Sequence, residues 1–318
     1  MARAAAERGR EADYPSEVPA SGWRDILLRA WEQVGTDNIS MIAAGVAFYG
    51  LLAIFPAITA LVSIWGLVAD PAQVQQQFAA IREIVPAEAW GLLDAQLRSV
   101  AASSPRALGW GVALGILVAL WSAGAGVRAL ITALNIAYDE EEKRGFIKLY
   151  AIGFLFTVGL IGAAALALIV IVAVPVVLAF VPLGGLSSAL IRVLTFVVLA
   201  AVMIVGLGVL YRYGPSRSHA RLRWVTWGAT AATVLWLVAS FLFQVYAANF
   251  ANYSATYGSL GAVIALLMWF WVSAFVVLLG AELNAEMEHQ TRKDTTTGPD
   301  RPLGERGAYV ADDVGKVP

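Results

Sequence analysis

Residues Asn249–Glu286 read NFANYSATYGSLGAVIALLMWFWVSAFVVLLGAELNAE, and the middle of this stretch decides the fold. No charge occurs between Gly258 and Ala281. A helix needs roughly 20 apolar residues to cross a bilayer, and this run is too long and too apolar for the core of a soluble domain. It opens on a neutral patch of Asn, Tyr and Gly. It closes on two acids, Glu282 and Glu286, around Asn284. Lipid around the middle, with polar chemistry at both ends, accounts for this order.

The composition agrees. Of 318 residues, 59% are hydrophobic and only 14% charged, whereas soluble domains are about one quarter charged. The net charge of −1 gives no general attraction to nucleic acid. The chain has no cysteine, which excludes disulfides, thiolate metal sites and a cysteine nucleophile. Two histidines, His219 and His289, are too few for a histidine-rich metal cluster. No cofactor is expected. No short apolar core with a cleavage site precedes the first long apolar run. A cleaved signal peptide is therefore not expected, and the first span is expected to act as its own insertion signal.

Six stretches reach membrane-spanning length: about 41–68, 107–125, 146–180, 189–211, 224–246 and 258–281. Most of the 22 Lys and Arg lie before the first of these, between the second and third, between the fourth and fifth, and after the sixth. The positive-inside rule then puts both termini in the cytoplasm. The expected fold is all-α, a polytopic membrane protein with six transmembrane helices. Residues 1–38 form a cytoplasmic N-terminal segment, 39–288 the membrane domain, and 289–318, rich in Thr, Gly, Asp and Pro, a disordered cytoplasmic tail. Within the membrane domain, 70–106 is expected to form two extracytoplasmic amphipathic helices. Val74, Phe78, Ile81 and Val85, then Trp90, Leu93, Leu97 and Val100, recur at helical spacing. They would cap the outer ends of the spans, rest among headgroups or cover a path.

Residues 124–145 extend the second span into the cytoplasm as an amphipathic helix. Arg128, Thr132, Asn135 and Asp139 share one face and Val127, Leu130, Ile131 and Leu134 the other. The polar face is either a solvated stripe or the wall of a vestibule. Pro56 within the first span is expected to kink it, with Tyr49 nearby, as a structural bend or a gating hinge. Gly111 and Gly115 form a small-xxx-small pair suited to close helix packing, and to a homo-oligomer contact. At the outer turn, Asn252, Tyr253, Tyr257, Gly258 and Gly261 supply donors and acceptors without charge, fitting a turn and aromatic belt or a substrate contact. From Gly258 to Glu282 is about 36 Å along a helix, beyond a hydrocarbon core of roughly 30 Å. Glu282 is thus expected near the inner interface, with Arg128 as its candidate partner, either as a structural ion pair or as a substrate or coupling site. No phosphate-cradling loop, paired-histidine metal motif or activated serine is visible, so no catalytic residue is assigned.

Three stretches carry a family resemblance: AAGVAFYGLLAIFP, WSAGAGVRALITALNIAYDEEEKRGF and NYSATYGSLGAVIALLMWFWVSAFVVLLGAELNAE. Together they closely resemble the YihY/BrkB (virulence factor BrkB) family of bacterial inner-membrane proteins, over roughly residues 25–290. The matching positions are Tyr49, Pro56, Arg128, Asn135, Tyr257, Gly258, Gly261, Glu282 and Asn284. The resemblance implies a multi-pass inner-membrane protein with roles in export or lipid flipping and in resistance to host serum. The family has carried a ribonuclease BN label, widely regarded as a misassignment, and no catalytic set comes with it. The first functional expectation is a transporter or flippase-like exporter of a lipid-like or amphipathic anionic substrate, with membrane lipids as partners and no nucleic acid. The alternative is a non-transporting scaffold that organises the envelope. A membrane-associated ribonuclease comes last.

Overall fold

The computed structural model describes residues 8–68, 105–179, 187–249 and 260–318. Among them the chain is helical, with no strand beyond one isolated bridge between Ala220 and Thr296. After a short 3-10 turn at Pro15–Glu17 come α1 (Ala20–Thr36), α2 (Ile39–Val68), α3 (Pro105–Ala137) and α4 (Phe146–Ala179). They are followed by α5 (Ser187–Tyr213), α6 (Leu222–Asn249), α7 (Gly261–Gln290) and the single turn α8 (Tyr309–Asp312).

Among the described residues, four stretches are long and apolar enough to cross a membrane: Phe146–Ala167, Val193–Tyr213, Leu222–Ala247 and Val263–Gln290. The pair Ala20–Thr36 and Ile39–Ala53, bent by 62° at its break, would make a fifth. Many of their large apolar side chains stay outside the protein core. Leu155 and Leu160 on α4, Phe196 on α5 and Phe241 on α6 are all exposed. Rows of such residues are unfavourable in water and ordinary in lipid.

The chain divides into two compact units, Met1–Ala43 with Leu130–Ala239 and Phe275–Pro318, and Ala44–Ala129 with Ser240–Ala274. In the second unit, small residues allow close approach. A side chain at Gly126 would touch the Tyr49 backbone at 3.6 Å, and one at Gly50 would touch Phe270 at 3.6 Å. Phe243 and Trp269 stack at 5.3 Å between centroids. In the first unit, α4 packs along α5. Ala12, Val18, Ile26, Trp224 and Met287 form a buried apolar cluster flanked by Trp23 and Leu283.

One expectation changes. The tail 289–318 is not disordered. His289, Thr291, Asp294, Thr295, Thr296 and Arg306 are buried. Arg306 donates to the carbonyls of Lys293, Ala311, Arg301 and Arg292, and the Asp312 carboxylate collects the N–H groups of Gly304, Arg306 and Gly307. Composition misleads here because hydrogen bonds rather than apolar burial order the segment. Within 1–38 lies α1, with Ile26, Ala30, Asp25 and Arg29 on its buried face. Helix α2 includes Pro56, and the 62° bend falls at Asp37–Asn38, between α1 and α2. Of 70–106, only the start of α3 at Pro105 lies within the described residues.

Candidate functional site

The last long helix does not stop at the end of its apolar run. α7 continues to Gln290, and Ala281, Glu282, Asn284, Ala285, Glu286, Met287 and Glu288 are all buried. A helix end buried on every side must find partners for its polar groups, and the surrounding elements supply most of them.

On one side is α6. Asn284 Oδ1 accepts the Gly228 N–H at 2.8 Å, and its Nδ2 donates to the Val225 carbonyl at 3.3 Å. A Cβ at Gly228 would fall closer than 3.0 Å to the Gly280 carbonyl and to Asn284 Oδ1. One at Gly280 would meet Ala232 Cβ and the Tyr211 hydroxyl, each at 2.6 Å. Tyr211 Oη in turn donates to the Val277 carbonyl at 2.7 Å. Asn284, a candidate for substrate contact, is thus committed to the α6–α7 crossing.

On another side are two buried arginines. Arg29 on α1 donates through Nε to Glu286 Oε2 at 2.5 Å and through Nη2 to Gln290 Oε1 at 2.8 Å. Arg217, in the turn after α5, clasps Glu288 with Nη1–Oε1 at 3.0 Å and Nη2–Oε2 at 2.7 Å. Thr295 Oγ1 adds a bond to Glu288, and the Arg217 guanidinium lies 5.1 Å over the Tyr138 ring. His289 Nδ1 stands 3.3 Å from Glu286 Oε1.

Among the described residues Glu282 has no such cation. The charged groups nearest to it are acids: Asp37, Glu286 and Asp139, and its carboxyl lies beside that of Asp37. No donor group among the described residues reaches Glu282 Oε1 or Asp37 Oδ2. Ionised carboxylates only accept, so a hydrogen bond between the two would need one shared proton.

Backbone geometry brings these acids together. Asn38, at the α1–α2 break, has a φ of 53°, and Asp139, just beyond α3, a φ of 52°. Both are in the left-handed region, which Asn and Asp tolerate better than most residues. Asp139 closes α3 in a Schellman arrangement, with Glu140 N bonding Asn135 O at 2.8 Å and Asp139 N bonding Ile136 O at 2.9 Å. Partial burial raises the Asp139 carboxyl above its ordinary range; nearby His289 works against this, and Glu286 with it.

The other candidates separate. Val127, Ile131 and Leu134 bury the apolar face of α3 as expected, but the polar stripe divides. Thr132 is exposed, whereas Asn135 is buried, accepting from Ser216 N at 2.8 Å and donating to Glu142 Oε2 at 2.9 Å. It is a structural clasp between two turns. Arg128 belongs to the second unit, its guanidinium 5.7 Å over the Trp121 ring. Tyr49 is largely exposed and packs edge-on against Phe48. Gly261 is buried at the start of α7, and Gly111 and Gly115 lie in α3. The turn residues Asn252, Tyr253, Tyr257 and Gly258 lie outside the described residues. Sequence reading missed Asp37, Arg29, Arg217 and Glu288. The acids of AELNAEME do face several sides of one helix, which signals burial all round. Their partners, however, lie far away in the chain. Among the described residues, no group of three or more His, Asp or Glu is arranged to hold a metal ion.

A family model described as Virulence factor BrkB matches residues 30–303. The chain is 32% identical over 255 residues to ribonuclease-like protein YfkH of Bacillus subtilis (strain 168), covering 79% of this chain and 90% of that protein. It is 33% identical over 79 residues to a UPF0761 membrane protein of Idiomarina loihiensis, 25% of this chain and 28% of the relative. A UPF0761 membrane protein of Tolumonas auensis is 38% identical over 82 residues, 26% of this chain and 27% of that one. No solved structure matches.

Proposed function

Because the chain belongs to the virulence factor BrkB family of membrane proteins, we propose that it is a transporter of the bacterial inner membrane. It moves a lipid-like or amphipathic anionic substrate, with Glu282 and Asp37 as its coupling pair. Six spans with both termini in the cytoplasm complete this reading, and they rest on the Lys and Arg distribution. The protein has no enzymatic role in it.

One observation carries the reading. The buried Glu282 lies beside the half-buried Asp37 at a helix break, faced by the further acids Asp139 and Glu286, and it has no ion-pair partner among the described residues. Buried acids in membrane helices mark ion or substrate pathways by default. An arrangement serving stability alone would pair Glu282 with a cation, as Glu286 and Glu288 are paired. Loss of the shared proton would place two negative charges side by side and push α1–α2 away from α7. Proton occupancy is thereby tied to the bend between α1 and α2.

The test uses proteoliposomes with a fluorescent lipid analogue and an imposed pH gradient. Wild type is expected to speed movement between leaflets and to respond to the gradient. Glu282→Gln is expected to fold, retain basal movement and lose the response. An unchanged response in Glu282→Gln would remove the pair from the mechanism. No movement by wild type would leave the envelope scaffold as the better reading. The ribonuclease-like name of the Bacillus relative adds an arm: RNA cleavage that copurifies with the protein through further steps and persists would contradict the non-enzymatic reading.

A further inference from the structure

Away from the acid pair, the polar cap holds a concentration of positive charge that nothing above uses. A cleft of about 450 Å³ is lined by Arg8, Arg10, Arg292 and Lys316, with Val314 and Val317 along its side. Its volume lies in the lower range for small-molecule sites, about 300–1,000 Å³. All four cations belong to the same compact unit.

Their partners are unequal. Arg8 is paired with Asp25 at 2.6 Å. Arg10, although only 6% exposed, meets no carboxylate among the described residues. Its Nη1 donates to the His289 carbonyl at 3.3 Å and its Nη2 to the Gly315 carbonyl at 2.6 Å. These bonds orient the guanidinium and leave its charge uncompensated. Arg292 and Lys316 have no side-chain ion pair among the described residues. Arg29, close behind, already holds Glu286. Burial, then the nearness of Arg29, lowers the pKa of Arg10. Asp25 opposes this, and Arg292 and Arg8 add to it. The cleft therefore gathers cations at a cost, around one acid that is already engaged.

We propose that this cleft binds a phosphoryl group, carried either on a lipid headgroup or on a small soluble anion. A buried arginine fixed by two carbonyls presents its remaining N–H groups in a set direction, and arginine suits phosphate recognition. Arg292 and Lys316 close over the anion from the more open side. The cleft is too small for an extended nucleic-acid strand, and the chain's net charge of −1 provides no broad basic surface around it. This site stands independently of the coupling pair and of transport.

The full chain, purified in an uncharged maltoside detergent, is titrated with sodium pyrophosphate at low salt by calorimetry. In parallel, native mass spectrometry measures retention of phosphatidic acid against phosphatidylcholine. The expected result is one bound anion per chain in at least one arm. Arg292→Gln/Lys316→Gln should weaken it by about tenfold, as should raised salt. That double variant spares the Arg8–Asp25 pair and the carbonyl bonds of Arg10, so folding is preserved. Lys293→Gln, outside the cleft, should leave binding unchanged. Retention of phosphatidic acid without pyrophosphate binding identifies a headgroup site; the reverse identifies a soluble ligand. Absence of both, an unaffected double variant, or equal loss in Lys293→Gln overturns the proposal. So does binding of an RNA oligonucleotide where neither phosphate source binds.

Discussion

Arg217 and Glu288 form a bidentate ion pair with side-chain exposures of 1% and 0%, joining the turn after α5 to the end of α7. Two ions out of water are tolerable only when each compensates the other, and here a Thr295 hydroxyl satisfies Glu288 further. Removing one partner leaves an uncompensated buried charge. Arg217→Met is therefore expected to cost about 3–5 kcal/mol in stability. Arg217→Met/Glu288→Leu should cost less than the sum of the two single changes. Chemical denaturation of the four proteins in one detergent, followed by tryptophan fluorescence, measures the cycle. Additive losses would show that the pair is not coupled.

The α6–α7 crossing is tight enough to be tested with one methyl group. A Cβ at Gly228 has no room between the Gly280 carbonyl, which is backbone, and Asn284 Oδ1, whose amide is held by two bonds to α6. Gly228→Ala should destabilise by about 1–3 kcal/mol through overpacking, although alanine is the better helix former in isolation. Asn284→Ala, which loses the bonds to the Gly228 N–H and the Val225 carbonyl, should cost about 1–3 kcal/mol. Thermal unfolding in detergent checks both. A neutral or stabilising Gly228→Ala would mean the helices are not in contact there.

Acid should loosen the turn after α3 before the rest of the cap. The hydrogen bond from Arg144 holds the Glu142 carboxyl down at about 2, against partial burial and with help from the Asn135 amide. A carboxyl lowered on folding contributes stability that is present above its ordinary value of 4.5 and is lost as pH falls through the folded value. Protection of the amides in residues 138–146, taken relative to their intrinsic exchange rates, should therefore fall progressively between pH 4.5 and about 2. Glu142→Gln should show fast exchange throughout and little further change across that window. An equal acid response in the variant would assign the loosening to another group.

Much of the architecture was legible in the residue pattern because lipid makes a simple demand. Apolar runs of spanning length had to become helices, and α4, α5 and α6 begin and end within a few residues of the expected bounds. The apolar face of α3 was equally readable, since Val127, Ile131 and Leu134 follow helical spacing into the core. The special place of Glu282 was also visible, as an acid at the end of a charge-free run.

Tertiary structure decided what surrounds that acid. Glu282 meets Asp37 from a helix break far earlier in the chain, within a fold unit that does not contain Arg128. It also decided that the polar tail is ordered, because Arg306 and Asp312 bind the tail's own backbone together and Thr291 ties it to the Ala12 carbonyl at the other end of the chain. Hydrophobic periodicity is a local property carried by neighbouring residues, and a sequence displays it openly. A buried polar group is stable only when particular donors, acceptors and charges reach it across the fold, and no local pattern records which ones do.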